Sequence, residues 1–186
     1  MSAVHGAGAQ AAELAERRWA WIVAAIILVL VATMVFTGVH WAAMPSSRVE
    51  VIDPRTLHMR GEFVEDNLGT TVDAQGQVTV RLVAQQYSFT PQCIVVPADT
   101  MVTVRGTASD AIHGFVVGRT NANVMLVPGF ISTFRTRFTQ VGEHLMPCHE
   151  YCGTGHEGMW GRVQVLEPAE FLRRAEPGKA VSCVPR

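Results

Sequence analysis

Residues 143–166 read EHLMPCHEYCGTGHEGMWGRVQVL. The two ends, 143–146 and 162–166, are short apolar runs that read as strands. Between them Cys148, Cys152, His156 and Met159 follow one another at intervals of four, four and three residues. Gly153, Gly155 and Gly158 let the chain fold tightly enough for those four side chains to converge. The stretch is therefore a compact loop held at both ends by a sheet, and it places soft ligands at one end of that sheet.

Thiolate and thioether sulfur together with imidazole favour copper, and to a lesser degree zinc. Four ligands in one loop need not close a site, so a further histidine from elsewhere is expected. His113, in the run DAIHGF just before another strand signal, occupies a strand-edge position suited to feed a metal at the end of a sandwich. Two cysteines, two histidines and a methionine are too many for a tetrahedral zinc site. They are also one cysteine too many for the mononuclear blue-copper set of two histidines, one cysteine and an axial methionine. Two metals sharing both thiolates would use all five, each metal taking two sulfurs and one histidine with a weak axial ligand beyond.

The chain around this loop reads as an all-β domain. From Gln77, the residues Val78, Val80, Leu82 and Ala84 alternate with Thr79, Arg81 and Val83, a half-buried strand. Short runs at 94–96, 102–105, 115–117 and 132–139 follow before the two that flank the loop. Turn residues separate them: Pro97-Ala98-Asp99, Gly106, Gly118, Pro128-Gly129 and Gly142. Six or seven short strands so spaced predict a sandwich or barrel over 76–167. A short helix with Pro168 in its first turn and a loose tail from Glu176 fill 168–186.

The N-terminal quarter is different in kind. Residues 19–41, WAWIVAAIILVLVATMVFTGVHW, carry no Asp, Glu, Lys or Arg. At 1.5 Å per residue, a helix of this length crosses a hydrocarbon core of roughly 30 Å with some tilt. Trp19, Trp21 and Trp41 sit at its two ends, where amphipathic rings prefer the headgroup level. A cleaved signal peptide would have a shorter apolar core, of about 7–15 residues, and a small-x-small site, whose registers around Ala42 and Ala43 are spoiled by Trp41 and Met44. The expectation is a retained anchor at 19–41, preceded by a flexible tail over 1–18 and followed by a linker over 42–75. Positive charge does not orient it: Arg17 and Arg18 lie before the helix, and Arg48, Arg55 and Arg60 after it. Cysteine use leans toward an outer, periplasmic-side domain. Cys93 and Cys183, outside the metal loop, can pair in an oxidising compartment; otherwise they are two ordinary thiols. A net charge of −1 over 186 residues gives no sign of nucleic acid as a partner.

The pattern C-x-E-x-C-x-x-x-H-x-x-M, with a distant histidine before a strand, resembles the binuclear copper (CuA) domain of cytochrome c oxidase subunit II. The resemblance covers the anchor and roughly residues 77–166. It implies a cupredoxin-like Greek-key barrel holding two copper ions bridged by Cys148 and Cys152. Carried over by position, His113 and Met159 complete one copper; His156 and the backbone carbonyl of Glu150 complete the other. In many members that glutamate's side chain also reaches a magnesium ion at the border with subunit I, which would give Glu150 a second role. The implied function is to pass electrons from cytochrome c, or a small copper protein, to haem in the catalytic subunit I. Most relatives have two membrane helices where this chain has one N-terminal anchor, which is similar to the smaller B-type branch of haem–copper oxidases. Most also carry a Trp-Tyr-Trp cluster upstream of the copper domain, where electrons arrive. The corresponding run here is Ala84-Gln85-Gln86-Tyr87-Ser88-Phe89, without tryptophan, leaving Tyr87, Phe89 and Trp160 as the aromatic residues for that task. No C-x-x-C-H haem motif follows in these residues, so the donor is expected to be a separate protein.

Blander readings account for most other ligand-type residues. His149 follows Cys148 directly and should point away from the thiolates toward solvent or a subunit. His144 lies near the loop but is not claimed as a ligand; His5, His40 and His58 need no function, and Met101, Met125 and Met146 read as core filler. A structural zinc site made of Cys148, Cys152, His156 and His113 would leave Met159 unexplained, and a Cys148–Cys152 disulfide would waste His156 as well. Among functions, the alternative to an oxidase subunit is a membrane-anchored protein that stores or delivers copper, which would not need bridging thiolates. A nitrous oxide reductase would carry a large catalytic domain, and a quinol oxidase subunit would have lost the ligands.

Overall fold

The structure is a computed structural model that describes residues 2–40 and 49–183. Trp41, read above as an interface ring, and Met44 and Arg48 lie outside those residues. The chain divides into two units, 1–47 and 48–186.

The first unit is helix α1, Ser2–His40. Its segment Gln10–His40 contains an 18-residue window with a mean hydropathy of 2.8, none of it buried by protein. A helix that is apolar all round and covered by no protein needs another apolar surrounding, which a bilayer supplies. Its polar side chains are turned inward on themselves: the hydroxyls of Thr33 and Thr37 donate to the carbonyls of Val29 and Thr33. The helix begins well before residue 19, where a flexible tail was expected. Residues 10–18 are rich in Ala, Glu, Leu and Arg, all strong helix formers, and extending an existing helix needs no new nucleus.

The second unit is a two-sheet β structure. Sheet one contains β1 (Gly69–Val72), β2 (Val78–Gln85), β5 (Met101–Ala108) and β8 (Ser132–Arg137) in that spatial order, with β3 (Ser88–Thr90) pairing with β2. Sheet two is β4 (Cys93–Pro97), β10 (Trp160–Leu166) and β9 (Gly142–Pro147). A hairpin of β6 (His113–Val116) and β7 (Asn123–Leu126) completes the strands, and α2 (Pro168–Arg174) follows them. β2 runs parallel to β5, and β4 parallel to β10. Parallel neighbours require connections that leave the sheet, and the chain accordingly crosses from sheet to sheet between β3, β4 and β5. The all-β, cupredoxin-like expectation holds.

The core lies between the sheets. Val78, Val80, Leu82 and Ala84 of β2 face Ile94, Val96, Val163 and Val165, with Phe89, Phe115 and Met146 toward the loop end. Phe63, Phe89, Phe115, Phe138 and Phe171 are all fully buried, each contributing about 1.5–3 kcal/mol of apolar burial. Met101 and Met125, read as core filler, are instead exposed.

Residues 49–68, expected as linker, fold onto the outer side of sheet one. Leu57 and Phe63 cover Val83 there, with Ile52, Leu68 and Ile131 around them. This explains why β2 alternates in burial at first and is then buried on both sides. Beside that apolar cluster, the Arg105 guanidinium donates to both Glu50 and Glu62, and Arg81 donates to Glu62. Burial opposes ionisation of Glu62, but Arg105 and then Arg81 outweigh it and hold its carboxyl below the usual range.

The C-terminal residues, expected as a loose tail, are tied down. Val181 exchanges two backbone hydrogen bonds with Thr70 of β1, Ser182 bridges to Ile94 of β4, and Cys183 is disulfide-bonded to Cys93. This strap spans the free edge of each sheet, so the unpaired edge groups of β1 and β4 find partners.

Candidate metal centre

β9 and β10 are antiparallel neighbours, pairing Pro147 with Trp160. The chain leaving β9 and returning to β10 is the loop 148–159, closed at its base by the bond from the Cys148 N–H to the Met159 carbonyl. A short 3-10 turn, His156–Gly158, carries the histidine back toward the sulfurs. Gly153 has a φ of +136°, and a Cβ there would lie 2.5 Å from the Tyr87 hydroxyl and 2.8 Å from the Gln86 amide nitrogen. Only glycine meets both demands.

Within the loop the sulfurs of Cys148 and Cys152 are 4.0 Å apart. His156 Nδ1 is 3.5 Å, and the Met159 sulfur 3.7 Å, from the Cys152 sulfur. The Glu150 carbonyl oxygen is 3.2 Å from the Cys148 sulfur. From β6, His113 brings Nδ1 to 3.9 Å from the Cys148 sulfur, across 35 residues of sequence. His113, Cys148 and Cys152 are all buried, with their ligand atoms within 4.8 Å of one another. All six positions singled out in the sequence thus meet at one end of the two sheets.

The donor set fits a soft transition metal. Sulfur and nitrogen bound at about 2.3 and 2.0 Å in a tetrahedral site are roughly 3.5–3.8 Å from each other; the spacings here, 3.5, 3.7, 3.9 and 4.0 Å, lie in that range or just above it. Burial first, and then the neighbouring Cys148 sulfur, push the Cys152 thiol up to about 11. A bound metal cation would reverse that preference and favour the thiolate.

Several contacts around the ligands were not read from the sequence. His113 Nε2 lies 2.9 Å from Asp110 Oδ1. The other carboxylate oxygen of Asp110 accepts the Gln86 N–H at 2.8 Å, and the Gln86 side-chain amide donates to the Cys152 carbonyl at 2.5 Å. Burial would raise the Asp110 carboxyl, but the Gln86 N–H, the His113 ring and the Ala111 N–H together hold it below its ordinary value. His149 turns from the sulfurs; its ring lies against Gly114, where any Cβ would collide with it, and Nε2 meets Asn123 Oδ1. The one available signal for Asp110 is its place three residues before His113.

The three aromatic residues considered for electron arrival differ in setting. Phe89 is buried in the core, edge-on to Phe115, and presents no surface. Tyr87 lies over Gly153 and Gly155 and is partly exposed. Trp160, next to Met159, is 46% exposed, and its indole N–H donates to the Glu157 carbonyl.

Residues 72–166 match the family model described as cytochrome c oxidase subunit II, periplasmic domain. Two relatives from Thermus thermophilus are both named cytochrome c oxidase subunit 2. One is 33% identical over 154 residues, covering 82% of this chain and 92% of the relative. The other is 35% identical over 124 residues, covering 67% of this chain and 92% of the relative. A chain in the cryo-EM structure of a heme-copper terminal oxidase dimer shares the fold, with a TM-score of 0.55 at 23% identity over 82% of this chain and 99% of that one. Membership implies copper binding, and the buried cysteine–histidine cluster suits it. On its sequence over this span and on the domain it builds, the chain belongs to the cytochrome c oxidase subunit II family.

Proposed function

We propose that this chain is the electron-accepting subunit of a membrane-bound terminal oxidase, holding two copper ions between Cys148 and Cys152. The observation that carries the reading is the convergence of six donor positions around one pair of buried sulfurs 4.0 Å apart. His113 and Met159 would serve one ion, and His156 and the Glu150 carbonyl the other. When bound, such a centre takes up and releases one electron shared over both metals. The protein's part is to keep the ligands still. The loop is closed at its base by the Cys148–Met159 backbone bond, and β9 and β10 hold its ends, so little rearrangement accompanies a change of charge. Burial of both sulfurs and of Met159 keeps water off the centre and tunes its potential.

Electrons arrive from cytochrome c or a small copper protein at exposed Trp160, with Tyr87 as the second exposed aromatic candidate. They leave to haem in subunit I, the catalytic partner, where oxygen is reduced. α1 is a single membrane span, and the copper domain lies on the outer, periplasmic side, a reading supported by the Cys93–Cys183 disulfide. A magnesium ion held by the Glu150 carboxylate at the subunit I border rests on the resemblance alone. A store or carrier for copper needs neither a buried ligand set drawn from two elements nor a rigid loop. Rapid mixing of the copper-loaded chain with reduced cytochrome c separates the two readings. One electron per chain should transfer within milliseconds; a chain that binds copper but is not reduced would contradict an electron-transfer role.

A further inference from the structure

The sequence at 86 and 110 carries no metal ligand, yet both residues touch the elements that do. Asp110, in the turn before β6, places Oδ1 2.9 Å from His113 Nε2 and Oδ2 2.8 Å from the Gln86 backbone nitrogen. Gln86, in the turn between β2 and β3, donates from its side chain to the carbonyl of Cys152. A continuous tie therefore runs from His113 through Asp110 and Gln86 to the copper loop. It links three chain segments: the turn before β6, the turn between β2 and β3, and the copper loop. His113 is fully buried, so its ring has no water to satisfy Nε2.

We propose that Asp110 and Gln86 are positioning residues for the copper centre: Asp110 fixes the proton of His113 on Nε2 and so presents Nδ1 to the metal, while Gln86 locks that arrangement to Cys152. The inference rests on the binuclear reading above. A histidine ring can ligate through either nitrogen, and the partner of the second nitrogen decides which is left free. A carboxylate accepting from Nε2–H settles that choice, orients the ring and raises the basicity of the ligating nitrogen. The Gln86 amide acts on the other half of the site. By holding the Cys152 carbonyl it fixes the peptide next to the bridging sulfur, and Tyr87 packs over Gly153 and Gly155 on the same side. The two ligand sources, β6 and the loop, then approach each other already aligned, before metal arrives.

The test uses the full chain in detergent, loaded with copper, as wild type, Asp110→Asn, Asp110→Ala and Gln86→Ala. The readouts are copper retained against a competing chelator and the EPR hyperfine pattern, neither of which needs activity. Loss of such an outer partner costs on the order of 10–100-fold in metal affinity. Asp110→Ala should lose copper more readily by that factor and show unequal sharing of the electron between the two ions. Asp110→Asn keeps an oxygen that accepts from Nε2–H but turns an amide NH2 toward the Gln86 N–H, so it should fall between wild type and Asp110→Ala. Gln86→Ala leaves the His113 bond in place and should lose copper several-fold faster; it carries the test if the alanine variant at 110 does not fold. Wild-type retention and hyperfine in both Asp110→Ala and Gln86→Ala would overturn the proposal, as would an Asp110→Asn chain as impaired as Asp110→Ala. A wild-type chain that holds one ion with a localised signal overturns the binuclear reading itself, and this proposal with it; defects confined to the variants bear on Asp110 and Gln86 alone.

Discussion

Cys93 and Cys183 are joined by a disulfide across 90 residues, and the Cys183 N–H donates to the Cys93 carbonyl beside it. The bond fastens the C-terminal strap over the edges of β1 and β4, at a distance in sequence from both thiols of the metal loop. Closing a loop of this length removes chain entropy worth about 4–5 kcal/mol from the unfolded state in the simple loop-closure model. Replacing both cysteines by serine should lower the unfolding free energy in urea by up to that amount. The copper spectrum should be unchanged. A spectrum that shifted with the double replacement would show the strap to be coupled to the metal end.

The ion-pair network on the outer side of sheet one sets an acid limit. Glu62 and Glu50 are both held below their ordinary values, Glu62 by Arg105 and Arg81 against its burial, Glu50 chiefly by Arg105. A depressed folded-state value means stability that is present above the unfolded value of 4.5 and lost as pH falls through the folded one. Glu62→Gln should therefore cost about 2 kcal/mol at pH 7, the scale of a lost charge-assisted hydrogen bond, and progressively less below pH 4. Urea titrations of wild type and variant at both pH values check this. A cost that is the same at pH 3 and pH 7 would contradict the assignment.

Gly153 is held at a φ of +136° under Tyr87 and Gln86. Gly153→Ala should cost about 1–3 kcal/mol from backbone strain alone, with or without copper. Gly158, with open space around its Cβ position and no unusual φ, is the control. Thermal unfolding with and without copper measures both; equal effects at the two glycines would argue against a strained loop.

Trp160 is exposed beside buried Met159, so it can meet a partner without touching the fold. Trp160→Ala should leave the copper spectrum as it is and slow electron uptake from cytochrome c by about tenfold, the scale of losing one aromatic anchor at a small interface. Stopped-flow reduction at several salt concentrations reads this. An unaltered rate would move the docking surface elsewhere, with Tyr87 the next residue to change.

How far these features could be read from the sequence depended on whether they rest on local pattern or on contacts. Cys148, Cys152, His156 and Met159 share one loop with fixed spacing, and the strands around them alternate or are short apolar runs, so loop and sheet were both legible. β2 declared itself by alternation until Val83, where Leu57 and Phe63 cover the outer side; that covering comes from a segment with no period of its own. β1, with Thr-Thr at its centre, and β3, three residues long, are strands only because β2 pairs with them. The strap at 181–183 has no strand signal and is fixed by Thr70, Ile94 and Cys93, which are distant in sequence. Asp110 and Gln86 were missed for the same reason: neither is a ligand, and their importance lies in hydrogen bonds that span 24 and 66 residues.

In the proposed centre two copper ions share the two sulfurs of this loop. The most direct measurement is the copper content and EPR spectrum of the full chain after loading and removal of loose metal. Two copper ions per chain are expected, with hyperfine splitting from one electron shared equally by two nuclei; in His113→Ala that sharing should be broken and copper held no more tightly than in Asp110→Ala. One copper per chain with a localised signal, or a colourless chain that prefers zinc, would contradict it.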